Sequence, residues 1–207
     1  MNTLARVISV VFHPLLLTTY LFGLLSFVFP SALYPFTTTS RWWLISFIFV
    51  LTFLLPAINI FFLRALNTIS SWTMEDRRER IRPFFLITII YCLVTYVFSV
   101  KTRISTADSM FKLFLIIDCL VIAATVITFV YKISIHSLGI SGIVGILISF
   151  NWIAEDNTLF IPTLMMIVLA GIVMSSRLQL NAHTTREVWV GGITGLAIGL
   201  SGMFLLF

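Results

Sequence analysis

Phe111-Lys112-Leu-Phe-Leu-Ile-Ile-Asp118-Cys119-Leu-Val-Ile-Ala-Ala-Thr-Val-Ile-Thr-Phe-Val-Tyr131 is a largely apolar run whose only charged residues are one lysine and one aspartate. Its length suits a helix crossing the hydrocarbon core of a bilayer, which takes roughly 20 apolar residues. The whole chain has the same character: 59% of its residues are hydrophobic, 10% are charged and the mean hydropathy is +1.09. Soluble domains carry about a quarter charged residues, so this composition describes an integral membrane protein. With 207 residues, spans and short connections use up the chain as one domain, and no separate soluble domain is expected.

Outward from residues 111–131, six more apolar segments lie at about 7–29, 42–64, 84–100, 137–153, 158–175 and 188–207. The pattern predicts an all-α polytopic bundle of six to seven transmembrane helices. Arg6 before the first segment imitates a signal peptide. That segment is longer than a typical h-region and no small-residue cleavage pattern follows, so it is read as a span. His13-Pro14 in the first segment, and Pro56 with Asn59 in the second, predict bent or locally opened helices, because proline removes a hydrogen bond and clashes with the preceding turn. The third and fifth segments are near the short end for crossing. Either one is expected to be tilted, re-entrant or half-buried, leaving six full spans and one irregular helix.

The formal charge is +5, but the basic residues sit between apolar runs and form no stripe interleaved with exposed aromatics. Nucleic acid is therefore not expected as a partner, and no protein partner is predicted. Cys92 and Cys119 lie inside apolar runs and read as small buried hydrophobes, not as a disulfide framework. Gly191, Gly195 and Gly199 recur at i+4 along the ridge of His183 and Glu187, which predicts close approach of a neighbouring helix. Asp118 is expensive in hydrocarbon. It is a candidate by default, equally suited to bonding a neighbouring helix, and is kept outside the site.

Three polar clusters interrupt the apolar pattern. They are Glu75-Asp76-Arg77-Arg78-Glu79-Arg80-Ile81-Arg82-Pro83, then Lys132-Ile-Ser134-Ile-His136-Ser137, then Ser176-Arg177-Leu-Gln-Leu-Asn-Ala-His183-Thr-Thr-Arg-Glu187. Two spans separate each from the next, so all three return to one side of the membrane. Arg177 offers a fork for a phosphate. His183 and Glu187 are four apart, so on a helix they share a face where the carboxylate fixes the imidazole's tautomer. The alternating signs around Arg78 and Arg80 mark those two as solvated or facing lipid headgroups.

The arrangement resembles the type-2 phosphatidic acid phosphatase superfamily, whose members carry Lys-x6-Arg-Pro, then Pro-Ser-Gly-His, then Ser-Arg-x5-His-x3-Asp. Ser176, Arg177 and His183 fall in register with the third motif, with Glu187 in place of the aspartate. Ser134 and His136 match the second, with Ile135 where glycine is usual, and Lys132 stands just before it. Arg82-Pro83 match the first, while the lysine position is Glu75. The resemblance covers roughly residues 72–200 of a single phosphatase-like transmembrane domain, and the first span lies largely outside it.

What the resemblance implies is hydrolysis of a lipid phosphate or lipid pyrophosphate through a phosphohistidine. His183 is the implied nucleophile, His136 the general acid, and Glu187 the residue that orients His183. Arg82, Lys132, Ser134, Ser176 and Arg177 would hold the phosphoryl oxygens, with Arg77 as a further candidate. No cofactor is expected. A metal is not expected either, since no close pair such as His-x3-His is present and cations already crowd the site. The partners expected are the lipid substrate and the bilayer, in a multi-pass cell-membrane protein of the bacterial inner membrane. The alternative, kept open by Glu75, Ile135 and Glu187, is a catalytically degenerate lipid-phosphate binder or transporter. With seven spans, the N-terminus and His183 share one side and the C-terminus lies opposite, an outer-facing site being slightly favoured by the resemblance.

Overall fold

The structure is a computed structural model and describes residues 2–34, 36, 38–72, 74, 76–101, 105, 107–153 and 157–207. Glu75 falls outside the described residues. The helices are α1 (Asn2–Val11), α2 (Pro14–Val28), α3 (Arg41–Phe49), α4 (Leu55–Ala65), α5 (Arg77–Lys101), α6 (Ser109–Val130), α7 (Ile135–Ile153), α8 (Phe160–Gln179) and α9 (Thr185–Leu206). Among the described residues there is no strand.

Six stretches are long and apolar enough to cross a membrane: Arg41–Ala65, which joins α3 to α4, then Arg77–Val100, Ser109–Val130, Ile135–Ile153, Phe160–Gln179 and Thr185–Leu206. α1 and α2 form a pair bent by 61°, and they add a seventh span if counted as one broken helix. The protein is a polytopic all-α membrane bundle. The first segment is bent where His13-Pro14 predict, while the third and fifth segments, one of which was expected to be tilted or re-entrant, form the full-length stretches of α5 and α7. α5 gains length because the helix starts at Arg77, inside the polar cluster, and runs for 25 residues. α7 is the centre of the bundle: 61% of its apolar stretch is buried, against 22% for α8.

Proline explains both irregular helices. Pro14 opens α2, where a missing N–H costs nothing, and the His13 Nδ1 accepts the Leu15 N–H at 3.4 Å as the helix cap. Pro56 lies just after a π-helical turn, Val50–Leu54. A proline at 56 leaves the Thr52 carbonyl without its helical donor, and the Tyr91 hydroxyl of α5 donates to that carbonyl at 3.0 Å. The expected local opening is thus present and is closed by a neighbouring helix.

α7 and α9 meet backbone to backbone. A Cβ placed on Gly191 would lie 2.5 Å from the Ser134 carbonyl oxygen, and one on Gly195 would fall on the carbonyl of Leu138. The glycine ridge therefore does what its spacing predicts, and it brings the start of α9 against the start of α7.

All five tryptophans are exposed and sit near the ends of the spans: Trp42, Trp43 and Trp152 at one end, Trp72 and Trp189 at the other. Such belts mark the two membrane–water boundaries. The second end also holds His13, His136 and His183. Cys119 reaches the outer surface of α6 and Cys92 is half-buried, so Cys119 is not the core hydrophobe its surroundings in sequence predict. Asp118 is buried inside the bundle, 7% exposed, with Oδ1 lacking a hydrogen-bond partner.

Candidate active site

The turn between α8 and α9 is built by two helix caps. Asn181 takes a left-handed conformation at φ 50°. The Ala182 N–H donates to the Arg177 carbonyl at 3.2 Å, and the Asn181 N–H to the Leu178 carbonyl at 2.9 Å. This is the Schellman pattern, with asparagine at the left-handed position. Three residues later Thr184 caps α9 in a capping box: its hydroxyl accepts the Glu187 N–H at 3.3 Å, and Glu187 Oε2 accepts the Thr184 N–H at 3.1 Å.

His183 is held between these caps. It lies just before the helix, so its meeting with Glu187 comes from the capping turn and not from a shared helix face. Glu187 Oε2 stands 2.9 Å from His183 Nδ1. A carboxylate only accepts, so Nδ1 carries the proton and Nε2 presents its lone pair. One glutamate therefore caps the start of α9 and sets a tautomer. Thr184-x-x-Glu187 was the sequence signal for this geometry.

The second histidine is fixed from α1. His136, in the first turn of α7, donates from Nε2 to the Ser9 carbonyl oxygen at 3.0 Å. The Ser9 hydroxyl accepts from Arg177 Nη1 at 3.1 Å and lies 3.2 Å from Ser176 Oγ. Ser176 spends its own proton on the Val173 carbonyl at 2.7 Å, so Ser9 donates to Ser176. His13 stacks edge-on against His136, ring centroids 5.6 Å apart. Ser9 and His13 thus join the cluster, although the first span stood outside the motif match. Nothing local marked Ser9. His13, read only as part of a proline kink, was visible as the chain's third imidazole.

The first polar cluster delivers a different arginine from the one the motif selects. Arg80 is buried, 7% exposed, and Arg82 is exposed. Because α5 already runs through this segment, residues two apart point about 200° apart, so only one of the pair can face inward. Arg80 Nε donates to the Met74 carbonyl at 2.7 Å and Nη1 reaches the Ile133 carbonyl at 3.5 Å. The alternating charges predict both Arg78 and Arg80 to be solvated or lipid-facing; Arg78 is exposed, but Arg80 is not, because its guanidinium is spent on these backbone carbonyls.

Three other expected phosphate contacts are placed elsewhere. Arg77 donates to the carbonyls of Thr128 and Phe129, where a cation favours the end of a helix. Ser134 is fully buried, and its Oγ accepts from Ser137 Oγ at 2.9 Å and from the Ser137 N–H at 3.4 Å. It caps α7, and its N–H donates to the Glu187 carbonyl at 3.2 Å. Lys132 is half-buried in the turn before α7, and no hydrogen bond joins it to the histidines. No family model, curated protein or solved structure matches this chain.

The chemistry of the cluster follows from its charges. Arg80 and Arg177 both act on His183, opposed by Glu187. Burial, first, and then the two guanidiniums push the His183 imidazole down to about 4, even though Glu187 pulls it upward. It is neutral at pH 7 and available as a base or nucleophile. Buried Arg80 and half-buried Arg177 crowd His183 against the single carboxylate of Glu187, and the Nε atom of Arg177 is buried with no acceptor. A buried unpaired donor is costly, so this end of the bundle favours an anion with several acceptor oxygens.

Proposed function

We propose that the chain is a membrane-embedded phosphatase that hydrolyses a lipid phosphate or lipid pyrophosphate through a phosphohistidine. The observation that carries the reading is the 2.9 Å contact of His183 Nδ1 with Glu187 Oε2, which leaves Nε2 as a lone pair beside two arginines. The resemblance to type-2 phosphatidic acid phosphatases in Ser176, Arg177, His183 and His136 supports it.

In the first step His183 Nε2 attacks phosphorus, an N–P bond forms and the P–O bond to the lipid breaks. His136, acting as its imidazolium, gives its Nε2 proton to the departing oxygen and is left as the neutral ring. Glu187 stabilises the positive charge that develops on His183, and Arg80 and Arg177 hold the phosphoryl oxygens. In the second step water attacks the phosphohistidine, His136 takes back a proton, and phosphate leaves with His183 regenerated.

The site's place at the tryptophan-marked boundary suits a substrate arriving sideways from the bilayer, its tail staying among the helices. Among the described residues no three His, Cys, Asp or Glu side chains gather as metal ligands, and the steps above use no metal. The resemblance supports a place in the cell membrane, the inner membrane of a bacterium.

The test is phosphate release by detergent-purified protein from a panel of lipid monophosphates and pyrophosphates. Release should fall by about 10²–10⁴-fold in His136→Ala. The acid-labile phosphoenzyme should vanish in His183→Ala. Phosphoenzyme persisting without His183 overturns the mechanism. No release across the panel points instead to a binder or transporter.

A further inference from the structure

Two of the donors assigned to the substrate, His136 Nε2 for the departing oxygen and Arg177 Nη1 for a phosphoryl oxygen, are already occupied, both by Ser9. They are held by its carbonyl oxygen at 3.0 Å and its hydroxyl oxygen at 3.1 Å. One residue thereby places two acceptor oxygens where a phosphoryl group would need its own. We propose that α1 is the gate of this site and Ser9 its latch, so that a lipid phosphate enters by displacing α1 and taking over both donors. This rests on the phosphatase reading above and adds its route of entry.

The build of α1 suits movement. It packs against α8, yet of its described side chains only those of Ala5 and Ser9 are fully buried. Both are small, so packing holds α1 weakly and the Ser9 hydrogen bonds carry much of the attachment. The opposite face exposes Leu4, Val7 and Val10. A helix with such a face rests at the headgroup boundary of a bilayer, and swinging outward keeps that face in lipid.

The break at His13-Pro14 supplies the hinge. Helical hydrogen bonding does not continue through Pro14, and α1 leaves α2 at 61°. Ser9 lies four residues before His13, about 6 Å of helix rise. A rotation of a few tens of degrees at the break would therefore carry its oxygens out of hydrogen-bond range while leaving α2 in place. The donors released are charged or aromatic N–H groups, the kinds that a phosphoryl oxygen bonds most strongly.

The experiment follows the accessibility of α1 in full-length protein whose native thiols are replaced (Cys92→Ser, Cys119→Ser). Ser9→Cys, or Ala5→Cys should the first fail to fold, is labelled with a small water-soluble methanethiosulfonate. Inorganic phosphate is the probe, its binding measured separately by calorimetry. Labelling should accelerate roughly tenfold on saturation, the shift expected when one charge-assisted hydrogen bond is exchanged. Ser9→Ala should also bind phosphate more tightly, since one competitor oxygen is gone. Phosphate that binds without changing or while slowing the labelling overturns the gate and leaves the phosphate site standing, as does weaker binding in Ser9→Ala. Phosphate that does not bind at all overturns the site reading and the gate together.

Discussion

Glu187 serves His183 and the first turn of α9 with a single oxygen, 2.9 Å from His183 Nδ1 and 3.1 Å from the Thr184 amide. The family resemblance has aspartate at this position. The extra methylene lets the carboxylate fold back into a capping box, so the departure from the motif is accounted for by the turn it closes.

Glu187→Gln should therefore be partly tolerated. Its amide oxygen can still accept from Nδ1 and from Thr184, and only the charge is lost, lowering turnover about tenfold. Arg177→Lys should cost more, about a hundredfold, because lysine lacks the planar fork suited to two phosphoryl oxygens. Steady-state kinetics of both variants check the ranking, and the reverse order means the two roles were exchanged.

The choice between Arg80 and Arg82 is a sharp test of the structure. Arg80→Ala should lower kcat/KM by about 10²–10³-fold as a lost phosphoryl contact. Arg82→Ala, an exposed substitution, should change it by less than about threefold. Equal losses in the two variants would return the role to the motif arginine.

The acid limb of kcat/KM should reflect His183. Its imidazole must be neutral to attack, and the folded protein holds it down to about 4, below the ordinary 6.5. Activity should persist as pH falls through 6.5 and decline only near 4. Removing Arg80 takes away one of the charges that depress it, so the limb in Arg80→Ala should move up in pH. Stability has the same sign. The unfolded chain takes up a proton near 6.5 and the folded one does not until about 4, so this group's contribution is complete above 6.5 and is lost between the two values. A pH series of rates and of thermal unfolding measures both.

Topology is testable by labelling single cysteines at positions 3, 105 and 185 in protein lacking Cys92 and Cys119. Ser9 and His13 touch residues beside His183, so the break between α1 and α2 lies at the site's end of the bundle. Positions 3 and 185 should label from one side and 105 from the other. A different pattern rejects the seven-crossing arrangement.

The sequence by itself determined the environment, the helical class and the meeting of three polar clusters, because hydropathy and an even number of crossings need no tertiary detail. It also determined the partnership of His183 with Glu187, which is local: four residues joined by one turn. The glycine ridge of α9 was legible for the same reason, since only backbone contact makes use of three glycines at i+4. What the tertiary structure alone decided is which side chains face inward. Arg80 replaces Arg82 because α5 begins six residues before Pro83 and rotates the pair apart, and no motif carries that phase. Ser134 turns from phosphate contact to helix cap because α7 starts at Ile135. Ser9 enters the site across a sequence separation of 127 residues from His136. Contacts so distant depend on how α1 lies against α8, and packing between helices in a bilayer is set by shape and hydrogen bonding rather than by the hydrophobic pattern that the sequence displays.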